Sequence, residues 1–129
     1  MTEGYFCMNI QESAEMYLET ILVLSEGDAP VRSLDIANHM NYSKPSVSRA
    51  VKLLKEGDYI VVDDNGHITL TPSGQEIAKK IFERHNVLSS LFERLGVSKE
   101  TAVEDACRIE HVISDETFNA IKAHMTANN

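Results

Sequence analysis

The sequence has no apolar run approaching the length of a membrane-spanning helix, and its first residues lack a basic-then-apolar signal pattern. A membrane partner is therefore not expected. Cysteine is scarce: Cys7 and Cys107 stand 100 residues apart, with no spacing that reads as a disulfide framework. That argues against a stapled secreted scaffold and for a reducing cytoplasm. Internal repeats and low-complexity linkers are missing too. Cations are in the minority, 12 against 20 acids, for a net charge of −8. Taken whole, that balance disfavours nucleic acid. Screening over about 8 Å at physiological salt makes the local patch decide instead.

The charge is segregated. Ser43 to Lys55 carries Lys44, Arg49, Lys52 and Lys55 with no acid, whereas Glu100 to the end carries six acids against Arg108 and Lys122. At 129 residues and 43% hydrophobic, the chain can bury one core, or a core with a small second lobe. A basic module followed by an acidic one is the expected plan, with domains at 1–74 and 75–129.

Taken in order, Asn9 with Glu12 reads as a helix start. Ala14, Tyr17, Leu18, Ile21, Leu22 and Leu24 then form an apolar stripe, ended by Gly27 and Pro30. Ser33 to Met40 is a short helix with Leu34, Ile36, Ala37 and Met40 inward, followed by a tight turn at Asn41-Tyr42. Ser43 caps a second helix that tolerates Pro45 in its first turn. Its inward face is Val47, Ala50, Val51, Leu53 and Leu54; Lys44, Ser46, Ser48, Arg49 and Lys52 face out. Tyr59 to Val62 and His67 to Leu70 flank Asp63-Asp64-Asn65-Gly66, a hairpin signal. Helix, turn, basic helix and hairpin form the winged helix-turn-helix plan. The outward hydroxyls and Pro45 can approach thymine methyls, Arg49 a base edge or phosphate, and Lys52 phosphate. Acids at the wing tip, Asp63 and Asp64, would repel the duplex.

Thr71-Pro72 opens a long helix with Ile77, Ile81, Leu88, Phe92 and Leu95 on its apolar face, ended by Gly96. Ser98 and Ser114 cap two further helices. The apolar residues of these last three helices exceed what one small lobe can hide, so a homodimer face is expected there. In the first of these helices, Cys107, Glu110 and His111 stand at i, i+3 and i+4, so a thiol, a carboxylate and an imidazole would share one face. Those are ligands for first-row transition metals. The plainer alternative is a small core cysteine beside a solvated Glu-His pair. His85, on the long helix's apolar line, is either a ligand or a core histidine; Met16 and Glu19, one turn apart, are either ligands or a core-edge methionine and a solvated acid.

Several segments resemble the diphtheria-toxin-repressor family of iron- and manganese-dependent repressors. They are Glu15-Met16-Tyr17-Leu18-Glu19, Ser43-Lys44-Pro45-Ser46-Val47-Ser48, Leu70-Thr71-Pro72-Ser73-Gly74, Arg84-His85, and the run from Ala106 to Glu116. The resemblance spans about Glu12 to Ala123. It implies a mainly α fold: a winged helix-turn-helix DNA-binding domain, then an all-helical metal-binding and dimerisation domain. It also implies repression at inverted-repeat operators of metal-homeostasis genes when metal is plentiful. Carried over by motif, Met16, Cys107, Glu110 and His111 match the iron branch's activating site, His85 a histidine of both branches, and Glu19 a carboxylate of the manganese branch. Ser89 and Val103 stand where the iron branch has ancillary ligands, which puts a second site of that type in doubt. With the sequence ending at Asn129, the SH3-like domain of longer members is not expected.

The reading is a cytoplasmic, dimeric, metal-activated repressor and not an enzyme. Ser43, Lys44, Pro45, Ser46, Ser48, Arg49 and Lys52 are expected at double-stranded DNA. Met16, Glu19, His85, Cys107, Glu110 and His111 are expected at metal, Fe(II) first and Mn(II) second, with one or two ions per chain and no organic cofactor. One alternative is a metal-independent winged-helix regulator. Another is a carboxylate–histidine metalloenzyme, against which stands the absence of a second Glu-x-x-His pair or an evident substrate loop.

Overall fold

The computed structural model describes residues 10–127, so Cys7 and the proposed cap Asn9 lie outside the described residues. The elements are α1 (Ile10–Leu24), α2 (Ser33–Met40), α3 (Lys44–Glu56), β1 (Ile60–Val62), β2 (Ile68–Leu70), α4 (Pro72–Arg94), α5 (Lys99–Ile109) and α6 (Asp115–Ala127). The chain divides into two compact units between Lys79 and Lys80, within α4. No helix among the described residues is long and apolar enough to cross a membrane.

The first unit has its core where the apolar stripes of α1, α2 and α3 meet. Tyr17, Leu18 and Ile21 of α1, Ile36 and Ala37 of α2, and Val47 and Leu54 of α3 are all buried. The edge of Tyr17 meets the ring of Tyr42 at 6.0 Å between centroids. α2 ends at Asn41, whose φ of 59° is the left-handed conformation that asparagine tolerates, so the chain turns at once into α3. Ser43 caps α3 by accepting from the Ser46 backbone N–H, and Pro45 sits in the first turn. These are the features expected of a helix-turn-helix.

β1 and β2 pair antiparallel, with Ile60 opposite Leu70 and Val62 opposite Ile68. Ile60 and Ile68 are buried while Val61 and Thr69 face outward, the period-two pattern of a half-covered hairpin. Ile68 also donates to the Val31 carbonyl at 2.8 Å, which ties the hairpin to the entry of α2. At the tip, Asp63 accepts from the backbone of Asn65 and His67, and Gly66 takes the positive φ of 78°. Asp63 thus has a conformational role: the His67 backbone bond above all holds its carboxyl below the usual range.

In the second unit Ile81 and Leu88 of α4 are buried, as are Ala102 and Ala106 of α5 and Phe118 of α6. α4 ends in a Schellman-type turn, with Val97 donating to the Phe92 carbonyl and Gly96 at φ 100°. Ser98 and Ser114 accept from the Thr101 and Thr117 backbones, capping α5 and α6.

Three inward assignments are corrected. Leu53 is 64% exposed, Leu34 51% and Leu95 71%. In α3 the inward line runs Val47, Ala50, Val51, Leu54, at i, i+3, i+4 and i+7, with Val47 and Leu54 buried and the two between them half-buried, and Leu53 falls beside it. Leu95 lies past the last turn of α4 and so outside the face that Ile81 and Leu88 define.

Candidate metal centre and nucleic-acid face

α5 is helical only to Ile109; Glu110 is its C-cap at φ −57°, and His111 lies in the turn beyond. The expectation that one helix carries Cys107, Glu110 and His111 is therefore corrected: only Cys107 lies within it. The turn still descends in helical fashion, with Ile113 donating to the Ile109 carbonyl, and Cys107 and Glu110 remain on one side.

That side meets His85 of α4. The Cys107 Sγ lies 3.7 Å from His85 Nδ1, and Glu110 Oε2 lies 3.5 Å from the same nitrogen. One donor atom from each of the three falls within 4.8 Å of the others. Cys107 is exposed, His85 half-buried, and the Glu110 side chain only 1% exposed. Neither Glu110 oxygen has a hydrogen-bond partner among the described residues. The His111 imidazole, 2% exposed, places Nε2 at 3.9 Å from Glu110 Oε1. The Cys107 sulfur and then the Glu110 carboxylate, both placed as acceptors for a protonated ring, push His85 up to about 10, against its partial burial.

A buried carboxylate with both oxygens unsatisfied is costly unless something cationic answers it. With a thiol and two imidazoles alongside, the donor set fits a divalent transition metal. Met16 and Glu19 stand one turn apart on α1, both half-buried; Thr20 donates to the Met16 carbonyl at 2.9 Å. Ser89 is buried with its hydroxyl unpartnered among the described residues, and Val103 is half-buried.

On the first unit, Ser43, Lys44, Pro45, Ser48, Arg49 and Lys52 are exposed, and Ser46 is half-buried. The Ser46 hydroxyl accepts from Ser43 Oγ at 2.9 Å and from Arg49 Nη2 at 3.4 Å, which leans the guanidinium along the helix. Ser33, Leu34, Lys44 and Ser48 line a recess of about 220 Å³. The apolar wall from Leu34 went unrecognised in the sequence because leucine there reads as core. Arg32, exposed at the entry of α2, bonds His67 of the wing at 2.9 Å, and His67 in turn meets Asp63 at 3.4 Å.

A winged helix-turn-helix with a cationic recognition face, on one chain with a sulfur–nitrogen–carboxylate cluster, defines a metal-responsive DNA-binding protein. Residues 9–68 match the iron dependent repressor N-terminal DNA binding domain, and residues 71–127 match the iron dependent repressor metal binding and dimerisation domain. The chain belongs to the iron dependent repressor family, whose members are transcriptional repressors and not enzymes. An HTH-type transcriptional regulator of Methanocaldococcus jannaschii is 36% identical over 118 residues, which are 90% of this chain and 94% of that one. The diphtheria toxin repressor of Corynebacterium diphtheriae is 33% identical over 110 residues, 84% of this chain and 48% of that protein. Among solved structures, the manganese regulator SloR superposes with a TM-score of 0.78 at 30% identity, covering 88% of this chain. The chain spans about half the length of those last two proteins (48% and 53%). The family resemblance and the fold class expected from the sequence are borne out, and the two matched domains indicate DNA, a divalent metal and a second copy as partners.

Proposed function

We propose that this chain acts as a dimer that binds an inverted-repeat operator of metal-homeostasis genes when loaded with Fe(II), or in second place Mn(II). The observation carrying the metal half is the Glu110 carboxylate, buried and without a hydrogen bond beside His85 and Cys107. His85, Cys107, Glu110 and His111 are the ligands proposed from the second unit. Met16 and Glu19 are proposed from α1 on the strength of the family motif alone. Sulfur from Cys107 and Met16 favours Fe(II), whereas the two carboxylates favour Mn(II). One ion is accommodated by this set, and a second would have to share its carboxylates.

Bound metal supplies a positive charge that answers the buried carboxylate and holds the thiol as thiolate. Ligation raises operator affinity to the extent that metal prefers the DNA-binding form. On the DNA side, Lys44, Arg49 and Lys52 meet phosphate or base edges. Ser48 and Pro45, with the recess beside Leu34, form a small apolar notch suited to a thymine methyl. Ser43 and Ser46 hold the cap and orient Arg49.

The test is anaerobic fluorescence anisotropy on an AT-rich inverted repeat, first with chelator and then titrated with Fe(II), Mn(II) and Zn(II) at fixed salt. Affinity rising with Fe(II) or Mn(II) supports the proposal. Equal affinity with and without chelator would hand the case to the metal-independent regulator.

A further inference from the structure

We propose that Arg84 is the positioning residue of the metal centre: from the α4 position next to His85, it holds by its main chain the turn that carries Glu110 and His111. The inference rests on the metal-ligand reading above.

Arg84 is 5% exposed. Its Nη1 donates to the Glu110 carbonyl at 3.2 Å and the Ile113 carbonyl at 2.7 Å, and its Nη2 donates to Asp115 Oδ1. The guanidinium lies over the Phe118 ring, 5.4 Å from its centroid. Asp115 is itself held by Lys80 at 3.2 Å. Carbonyls at a helix C-terminus lack intrahelical donors and carry the negative end of the helix dipole, so a buried cation there satisfies both.

If only packing were required, an apolar side chain of similar volume would serve, since burying a guanidinium is costly. What an apolar side chain cannot do is bond two carbonyls of one turn at fixed angles, the geometry a planar fork provides. The direction of those bonds matters as much. Arg84 bonds the main chain at Glu110, and the Glu110 carboxylate has no hydrogen bond at either oxygen. Arg84 thus holds Glu110 through its backbone and leaves both carboxylate oxygens available for a ligand. One residue along α4, His85 supplies its nitrogen to the same carboxylate. A single turn of α4 thus fixes a ligand and the support of two others.

The experiment compares the full chain with Arg84→Met, Arg84→Lys, Phe118→Leu and Asp115→Asn, using Co(II) under anaerobic conditions as the probe. Readouts are Co(II) affinity, the thiolate-to-Co(II) charge-transfer and d–d bands, and hydrogen exchange of amides 110–114 in the metal-free protein. Arg84→Met is expected to lower affinity roughly 10–100-fold, as loss of an outer support does, to shift the d–d bands, and to speed exchange in the turn. Arg84→Lys should recover part of each. Phe118→Leu should lower thermal stability and leave the bands in place. Asp115→Asn, which keeps both carbonyl bonds, covers the case in which Arg84→Met does not fold, and should leave the bands in place beside an intermediate Arg84→Lys. Parent-like affinity and bands in the Arg84 variants overturn the inference while the metal reading stands. Equal spectral change in Phe118→Leu overturns it as well. No Co(II) binding by the parent chain removes the metal reading and this inference together.

Discussion

Glu110 and His85 face each other across 3.5 Å, Oε2 to Nδ1, and the carboxylate making that approach is 1% exposed with neither oxygen hydrogen-bonded. The Cys107 thiol completes the group at 3.7 Å from the same nitrogen. In the metal-free chain the imidazolium is the cation that answers the buried acid. A metal would have to displace its proton. Two measurable consequences come from that competition.

The first is a pH dependence. The Cys107 sulfur and then the Glu110 carboxylate, as acceptors facing the protonated ring, raise His85 to about 10, so it is protonated at neutral pH without metal. Ligation needs the neutral ring, so metal binding should release its proton, and affinity should fall by up to about tenfold for each pH unit lowered. The sign for folding is opposite. A histidine raised above 6.5 contributes stability fully present below that pH, and the contribution is lost as pH rises through about 10. Calorimetry in two buffers of different ionisation heat reads the proton. Denaturation with chelator at pH 6, 8 and 10 reads the stability, and His85→Asn should flatten both profiles.

The second concerns the carboxylate itself. Glu110→Gln keeps the shape of the buried side chain and removes its charge. The expected outcome is a folded protein of unchanged helix content whose operator affinity no longer responds to metal. Anisotropy with and without chelator decides it. A retained metal response in this variant would remove Glu110 from the site.

Much of the architecture was legible because it is written in local chemistry. Hydroxyl caps at Ser43, Thr71, Ser98 and Ser114 each accept a backbone N–H, and the tight turn expected at Asn41-Tyr42 is made with Asn41 in the left-handed conformation. What was not legible depends on distance across the fold. Leu34 and Leu53 read as core from hydrophobicity alone, yet each lies at the side of a stripe that its neighbours already fill. The spacing of Cys107 and Glu110 pointed to a shared face, but nothing in a linear sequence says that α5 ends at Ile109 or that Arg84 reaches the carbonyls beyond it. Arginine at a helix position reads as solvated. Only tertiary packing makes it a buried support.

The recognition face should show its phosphate contacts in the salt dependence of binding. Lys52 and Lys44 are exposed on α3 with no acid on that helix before Glu56. Each phosphate contact contributes about 0.9 to the slope of log affinity against log salt. Lys52→Ala should reduce the slope by roughly that amount and weaken all sequences alike. Leu34→Ser, at the apolar recess, should instead leave the slope in place and reduce the preference for thymine. A slope unchanged by Lys52→Ala would place that lysine away from the duplex.

Gly74 carries the last expectation, and it is a steric one. A Cβ built there would sit 2.1 Å from the Tyr59 carbonyl oxygen, a backbone atom held in place by the Thr71 N–H at 3.0 Å. Thr71 also caps α4 by accepting from the Gly74 N–H, and its hydroxyl donates to the Asp58 carbonyl at 2.8 Å. The start of α4 is therefore pressed against the chain entering β1, with no flexible side chain between them to yield. Overpacking of this kind typically costs about 1–3 kcal/mol, and a clash with backbone belongs at the upper end. Gly74→Ala should lower the thermal midpoint of the metal-free protein by several degrees. Gly27→Ala, whose Cβ meets only Leu24 O at 3.7 Å, should not. Equal midpoints for the two variants would show that α4 can move away from Tyr59 at little cost.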